Sequence, residues 1–382
     1  MQENFLQNEN EELTNVSLDA LRSVSKVGFK KLDVELPSTA NEARFLIDNY
    51  YQVQQNRITA ESQRRALLQG ADTNSQDKKK SDEKLSSLDF VYEQYVAMEA
   101  NAKSLLAAYC ESNPLSNWAS KVTGIGPVLA ASLPAYLSIK KEPDGSTKMH
   151  AGSWWSYCGL NDNNRPWLGK EKSTKIVEGA IAEYGELNDQ AMMSICGITG
   201  WNLDHFKNFK AKKDKKGETK PGCCKTDKKG NVVWDKSAVI SACSVIPYNK
   251  ELKVVCYKIG TSFHKVCNND KSLYGRLFKE RLQYETMMNE KGAYAEQAKQ
   301  ILNDKNFKSK ETREIYESGK LPASHIYARC ERYVTKLFIS HAFECAYYIE
   351  YKKLPPAPYA LKFCEGHVDY IKSEIPYEEA FR

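Results

Sequence analysis

In the stretch Val122-Thr123-Gly124-Ile125-Gly126-Pro127, two glycines and a proline fall within four residues. Glycines at this spacing permit backbone angles closed to other residues, so the stretch reads as a tight hairpin. Proline at the first position of a helix loses nothing through its missing N–H. Apolar residues flank the hairpin at helical spacing, with Leu115, Trp118 and Ala119 before it and Val128, Leu129, Ala131, Ser132 and Leu133 after it. Leu115 to Leu137 therefore predicts two short helices packed on each other across a tight turn, a helix-hairpin-helix. In such a unit the hairpin amides and the positive helix end point at one phosphate oxyanion, with no reference to base sequence. Lys121, Thr123, Gly124, Ile125 and Gly126 are the residues expected at a duplex DNA backbone. An ordinary helical turn with a Gly-x-Gly is the bland alternative.

The charge pattern points the same way. The chain carries a formal net charge of +6, but ten lysines against three acids between Lys207 and Lys229 already sum to +7. That run, with Lys212, Lys213, Lys215 and Lys216 at its centre, also holds Gly217, Pro221, Gly222 and Gly230, so a loop is expected. A basic loop can track phosphates and release counterions; the alternative is a solvated surface loop.

Hydropathy predicts a mainly α fold. Thr39 and Glu42 form a capping box, followed by Ala43, Leu46, Ile47, Tyr50 and Val53 at helical spacing, and this helix is expected to reach Leu68. A polar breaker, Gly70 to Lys80, separates it from a second helix over Leu85 to Tyr109, with Leu88, Val91, Tyr92, Tyr95, Met98 and Ala102 on one face. The chain divides into five segments: a polar tail (1–37), a long helical hairpin (38–112), the helix-hairpin-helix with an aromatic helix (113–168), an irregular insertion with the lysine loop (169–247) and a helical part (248–382). In the last, Leu273, Leu277, Leu282 and Tyr284 mark one helix and His325 to Ile349 another, stopped by Pro355, Pro356 and Pro358. NVVW (231–234) and LKVVCY (252–257) are the strand candidates, and the second fits a helix equally well.

Several function classes drop out. No apolar run approaches the ~20 residues of a membrane span, and the polar, acidic start, MQENFLQNENEEL, predicts neither a signal nor a transit peptide. A cytoplasmic protein without membrane partners is expected. The eleven cysteines are scattered and read as reduced, buried thiols. Cys223-Cys224 and Cys243 lack the paired knuckles of a zinc ribbon, so no metal and no cofactor are expected.

The stretches VTGIGPVLAASL and GSWWSYCGL (152–160) together resemble the carboxyl-terminal domain of the bridge-RNA-guided insertion-sequence transposases. There a helix-hairpin-helix is followed by an aromatic helix ending in Tyr-x-Gly-Leu. YNKELKVVCYKIG (248–260) is similar to that family's Asn-x-x-Leu-Arg helix, with Lys253 in the arginine's place. SLYGRLFKERL, LPASHIYARCERYVTKLFISH and PPAPYA resemble stand-alone relatives. The resemblance covers about 120 residues and implies DNA as partner; a guide RNA is implied too, though no residue pattern supports one. The chain departs from the family twice. A helical hairpin stands where the family carries a ribonuclease-H-like domain with four metal-binding acids. The region of the family's catalytic serine reads NDNNRPWLGKEKSTK, with Ser173 but no following glycine.

A helix-hairpin-helix also anchors a group of DNA glycosylases, a weaker resemblance, whose catalytic aspartate follows the hairpin by about 20 residues. Asp144 stands at a tolerable distance but in a Pro-Asp-Gly turn. Asp162, just past the aromatic helix, is the first choice and Asp144 the second. Base excision needs a flipped nucleotide between flat side chains and a carboxylate that steadies a developing cation. Trp154, Trp155, Tyr157, Asn161, Asn164 and Trp167 could build that pocket, or the tryptophans could be core. His325, Arg329, Arg332, His341 and Glu344 on the late helix form a possible second polar site, or a satisfied buried network. The first reading is thus metal-independent base excision on damaged or modified DNA. The alternatives are a non-enzymatic DNA-binding protein and a transposase or recombinase relative.

Overall fold

The structure, a computed structural model, describes residues 35–70, 75–161, 166–209, 222–227, 232–304, 307–356 and 370–382, and their side chains except at 68–70 and 75–86. It is mainly helical, as the periodicity predicts. Among the described residues no helix is long and apolar enough to cross a membrane. The chain forms two compact units. The first draws its described residues from Met1–Thr147, Lys258–Val334 and His341–Arg382, the second from Lys148–Tyr257 and Thr335–Ser340.

The first unit opens with helices α1 (Ala40–Gly70) and α2 (Ser75–Ser112). The capping box forms: Thr39 N–H donates to Glu42 at 2.8 Å, and Glu42 N–H donates back to Thr39 Oγ1 at 3.2 Å. Hydrogen bonds donated to its carboxylate, by the Ser38 amide first and then by the Thr39 amide and hydroxyl, lower the pKa of Glu42 to about 2. The predicted breaker is shorter than expected, because α2 already begins at Ser75. Asp and Ser are mediocre rather than prohibitive helix residues and Lys is a good one, so only Gly70 carries a large helix penalty. Across the pair, Glu99 accepts from Arg57 Nε and from Gln54 at 2.8 Å.

Helices α3 (Pro114–Ser120) and α4 (Pro127–Tyr136) follow. Asn113 caps α3 by accepting the Ser116 N–H at 3.1 Å, and a proline stands at the start of both helices. Leu115, Trp118, Ala119, Val128, Ala131 and Leu133 are buried, together with Ile47 of α1 and Leu106 and Tyr109 of α2. The predicted helical hairpin and the helix-hairpin-helix thus share one core. Arg44 of α1 donates to the Ala135 carbonyl of α4 and lies over the Tyr136 ring.

In the second unit lie α5 (Ala151–Tyr157), α6 (Gly169–Tyr184), α7 (Asp189–Thr199), α8 (Leu203–Asn208), strands β1 (Cys224–Thr226) and β2 (Val232–Trp234), and α9 (Lys236–Cys243). The strands pair antiparallel with Lys225 opposite Val233. The stretch 169–247, expected as irregular, therefore carries four helices around a core of Val177, Met192, Ile195, Phe206, Val239 and Cys243. Each of these helices buries only a few side chains, so the periodicity is thin in any one window. Asn188, Asn202 and Asp235 each cap the helix that follows them.

The remaining helices are α10 (Lys250–Lys265), α11 (Leu273–Glu290), α12 (Ala295–Asp304), α13 (Lys310–Glu317) and α14 (Ala323–Tyr351). The LKVVCY segment is helical, within α10. In α11 the buried residues include Tyr274, Phe278 and Glu285, while Tyr284 is exposed. Residues 370–382 form a strap ending in a 3-10 turn, Tyr377–Phe381.

Candidate nucleic-acid interface

The tight turn predicted between α3 and α4 is present, although only one of its two glycines takes a backbone angle closed to other residues. Ile125 N–H donates to the Val122 carbonyl at 3.0 Å, closing a tight turn in which Gly124 has φ +99°. An added Cβ at Gly124 would also lie 3.2 Å from Val266 Cγ2, so this position requires glycine twice over. Gly126 differs. Its φ of −87° and ψ of 173° suit any residue, it is exposed, and nothing lies within 4 Å of where a Cβ would sit. Val122 and Ile125 are buried and seat the turn.

The N–H groups of Gly124, Gly126, Val128 and Leu129 have no hydrogen-bond partner among the described residues. Three of them belong to the start of α4, where the helix dipole adds positive character, and the fourth lies two residues upstream in the hairpin. Such a group of donors suits one anion with several acceptor oxygens.

Besides Ile125, whose N–H closes the turn, two of the predicted contacts are engaged inside the protein. Thr123 N–H donates to Glu374 Oε1 at 2.9 Å, and Lys121 Nζ donates to the Glu379 carbonyl at 2.7 Å and its carboxylate at 3.0 Å. Lys121 in turn holds the Glu379 carboxyl below its ordinary range. Both acids belong to the strap. They lie some 250 residues from the hairpin in sequence, and no local pattern links them to it. Lys212, Lys213, Lys215 and Lys216 lie outside the described residues.

The aromatic helix α5 belongs to the second unit. Trp154 is 1% exposed, so its ring is core and is closed to a stacking base. Trp155 is half-buried and donates from Nε1 to the Lys336 carbonyl at 3.0 Å. Tyr157 is exposed and accepts at its hydroxyl from Asn249 Nδ2 at 3.2 Å, while its carbonyl accepts the Asn249 N–H at 2.9 Å. Gly159, with φ +66°, lies so close to the Tyr248 ring that a Cβ would come within 2.8 Å. The ammonium of Lys253 stands 4.1 Å from the centre of that ring. The segments around Tyr157 and Asn249 thus pack on each other. Asn161 is half-buried and Trp167 is 56% exposed, whereas Asp162 and Asn164 lie outside the described residues.

Asp144 is in an exposed turn of the first unit. Its Oδ1 accepts from the Ser146 hydroxyl and N–H, and these bonds lower its pKa. A turn role accounts for this residue fully.

The late-helix candidates are not brought to one place. His325 Nδ1 is 3.4 Å from the Tyr316 hydroxyl, and Arg332 is exposed. Arg329 donates to Glu285 at 2.7 Å, in a cluster with Arg281 and Tyr294 around a carboxylate only 1% exposed. His341 accepts from Tyr274 at 2.7 Å and donates to the Ile371 carbonyl at 2.8 Å, while Glu344 accepts from the hydroxyls of Tyr370 and Tyr377. These last two therefore clasp the strap. No family profile, curated protein or solved structure matches the chain.

Proposed function

We propose that this protein binds duplex DNA through the turn between α3 and α4, gripping the phosphate backbone without reading base sequence. The observation that carries this reading is the set of four amides without a partner among the described residues, Gly124, Gly126, Val128 and Leu129, in one short stretch that includes the exposed, uncrowded Gly126. Main-chain N–H groups at a helix start satisfy a phosphate oxyanion at no cost in side-chain entropy. The basic run Lys207 to Lys229 supplies a second, purely electrostatic hold in this reading. The packing of Tyr157, Gly159, Tyr248 and Asn249 on one another supports kinship with the bridge-RNA-guided transposases, whose two matching segments these are.

A mobility-shift titration tests it. Two duplexes of unrelated sequence should bind with equal affinity, and the logarithm of the affinity should fall linearly with the logarithm of salt concentration. Absence of a salt-dependent complex with either duplex would refute the proposal.

A further inference from the structure

The strap brings an internal carboxylate to the very turn assigned to phosphate. Glu374 Oε1 accepts the Thr123 N–H at 2.9 Å, and its other oxygen, Oε2, accepts the N–H of Leu273, the first residue of α11, at 2.7 Å. One carboxylate thus ties the hairpin to the start of a second helix, whose dipole favours the negative charge. The neighbouring anchors act on the same turn. Ser262 donates to the Gly124 carbonyl, Val266 and Phe263 lie against Gly124, and Lys121 is held by Glu379.

This arrangement admits two opposite consequences. A negative charge beside a phosphate grip could repel the ligand until the strap leaves, or it could hold the turn in its binding shape. The way the strap is held decides between them. Trp118, with no exposed surface, donates to the Ile375 carbonyl at 3.0 Å, and Asn117 donates to the Ala380 carbonyl at 3.3 Å. Tyr370 and Tyr377 both donate to the buried Glu344, and His341 holds the Ile371 carbonyl. Lifting the strap would leave the buried Trp118 indole, the Glu344 carboxylate and His341 without these partners, a prohibitive loss for a reversible step.

Resting on the proposed DNA binding, we infer that Glu374 is a positioning residue. Its carboxylate takes the Thr123 amide, as the Val122 carbonyl takes that of Ile125, and so fixes the turn with the amides of Gly124, Gly126, Val128 and Leu129 left for phosphate. A carboxylate is suited to this because both of its oxygens accept, matching two donors from two elements.

The test is Glu374→Gln in the full chain. The amide keeps the shape but offers an N–H to one of the two donors, so one link is broken. Affinity for two unrelated duplexes at fixed salt should weaken roughly tenfold, the loss of one hydrogen bond to a charged group, although removal of a negative charge beside DNA would by itself tighten binding. The log–log salt slope, set by Lys and Arg contacts, should stay that of the wild type. A variant that was merely less stable would lower the active fraction, read from the stoichiometry of a tight-binding titration, and leave the affinity of that fraction unchanged. Leu273→Pro provides a second route, because it deletes the other donor at a first helical position. The residue before it, Ser272, already has the extended φ −90°, ψ 109° that proline demands. It should weaken affinity in the same direction, and it decides the matter if Glu374→Gln does not fold. Folded variants that bind as tightly as the wild type or more tightly overturn the positioning role and leave DNA binding standing. A wild-type chain without salt-dependent binding refutes the DNA reading itself.

Discussion

The two hairpin glycines should separate stability from binding. At Gly124 an alanine would adopt φ +99°, beyond even the left-handed helical region, and its methyl would press on Val266 Cγ2 at 3.2 Å. The backbone strain alone is about 1–2 kcal/mol, and with the contact the total is about 2 kcal/mol. For a unit of this size that corresponds to a fall of roughly 4–8 °C in Tm. At Gly126 the same substitution meets nothing within 4 Å, on backbone angles open to any residue. Alanine is a poorer helix cap, but it loses less unfolded-state entropy, and the two effects offset to within about 0.5 kcal/mol. Its methyl would stand beside the free amides, where phosphate must approach. Gly126→Ala should therefore keep the wild-type Tm in circular dichroism and lose roughly tenfold or more in affinity for two unrelated duplexes. Gly124→Ala should show the fall in Tm. If Gly126→Ala binds both duplexes as the wild type does, the turn is not the grip. A Gly124→Ala chain as stable as the wild type would refute the backbone argument.

Burial lowers the pKa of His341, while the unfolded chain titrates near 6.5, so between these values the unfolded state binds more protons. Stability from this group is complete above about pH 6.5 and is lost as pH falls below it; His341→Gln should flatten the drop in Tm between pH 7.5 and 5.5, and a parallel drop in the variant would exclude the histidine. Burial disfavours the charged form of Glu285, but hydrogen bonds from Arg329, Tyr294 and Arg281 outweigh it and lower the pKa. Its contribution is therefore present above the ordinary carboxylate value and lost as pH falls through the lowered one. Glu285→Gln should cost about 3 kcal/mol near neutrality in urea unfolding, at the low end for a buried pair because the side chains of Arg281 and Arg329 are 32% and 27% exposed. A gap to the wild type that does not narrow from pH 6 to 3 would contradict this. Neutralising Lys212, Lys213, Lys215 and Lys216 together should reduce the salt slope by about 0.9 for each phosphate they no longer neutralise; an unchanged slope would make the loop a solvated insertion.

Local chemistry carried much of the fold. The Thr39–Glu42 box, the caps and the proline at the start of α4 act over three or four residues, within the reach of a sequence pattern. Gly124 likewise marked its own turn, since φ +99° is strained for any other side chain. What a pattern does not hold is which distant segment covers which face. Trp154 is core while Trp167 is exposed, although both are tryptophans in one aromatic stretch. The five polar residues of the late helix share its faces in sequence, yet they are dispersed because each meets different surroundings: Tyr316, Glu285, Tyr274, the strap or, for Arg332, solvent. Glu374 reads as one acid among several until folding brings it to Thr123 and Leu273. Helix caps and turns are set by neighbours along the chain, whereas burial and ion pairing are set by neighbours in space, which only the folded core selects.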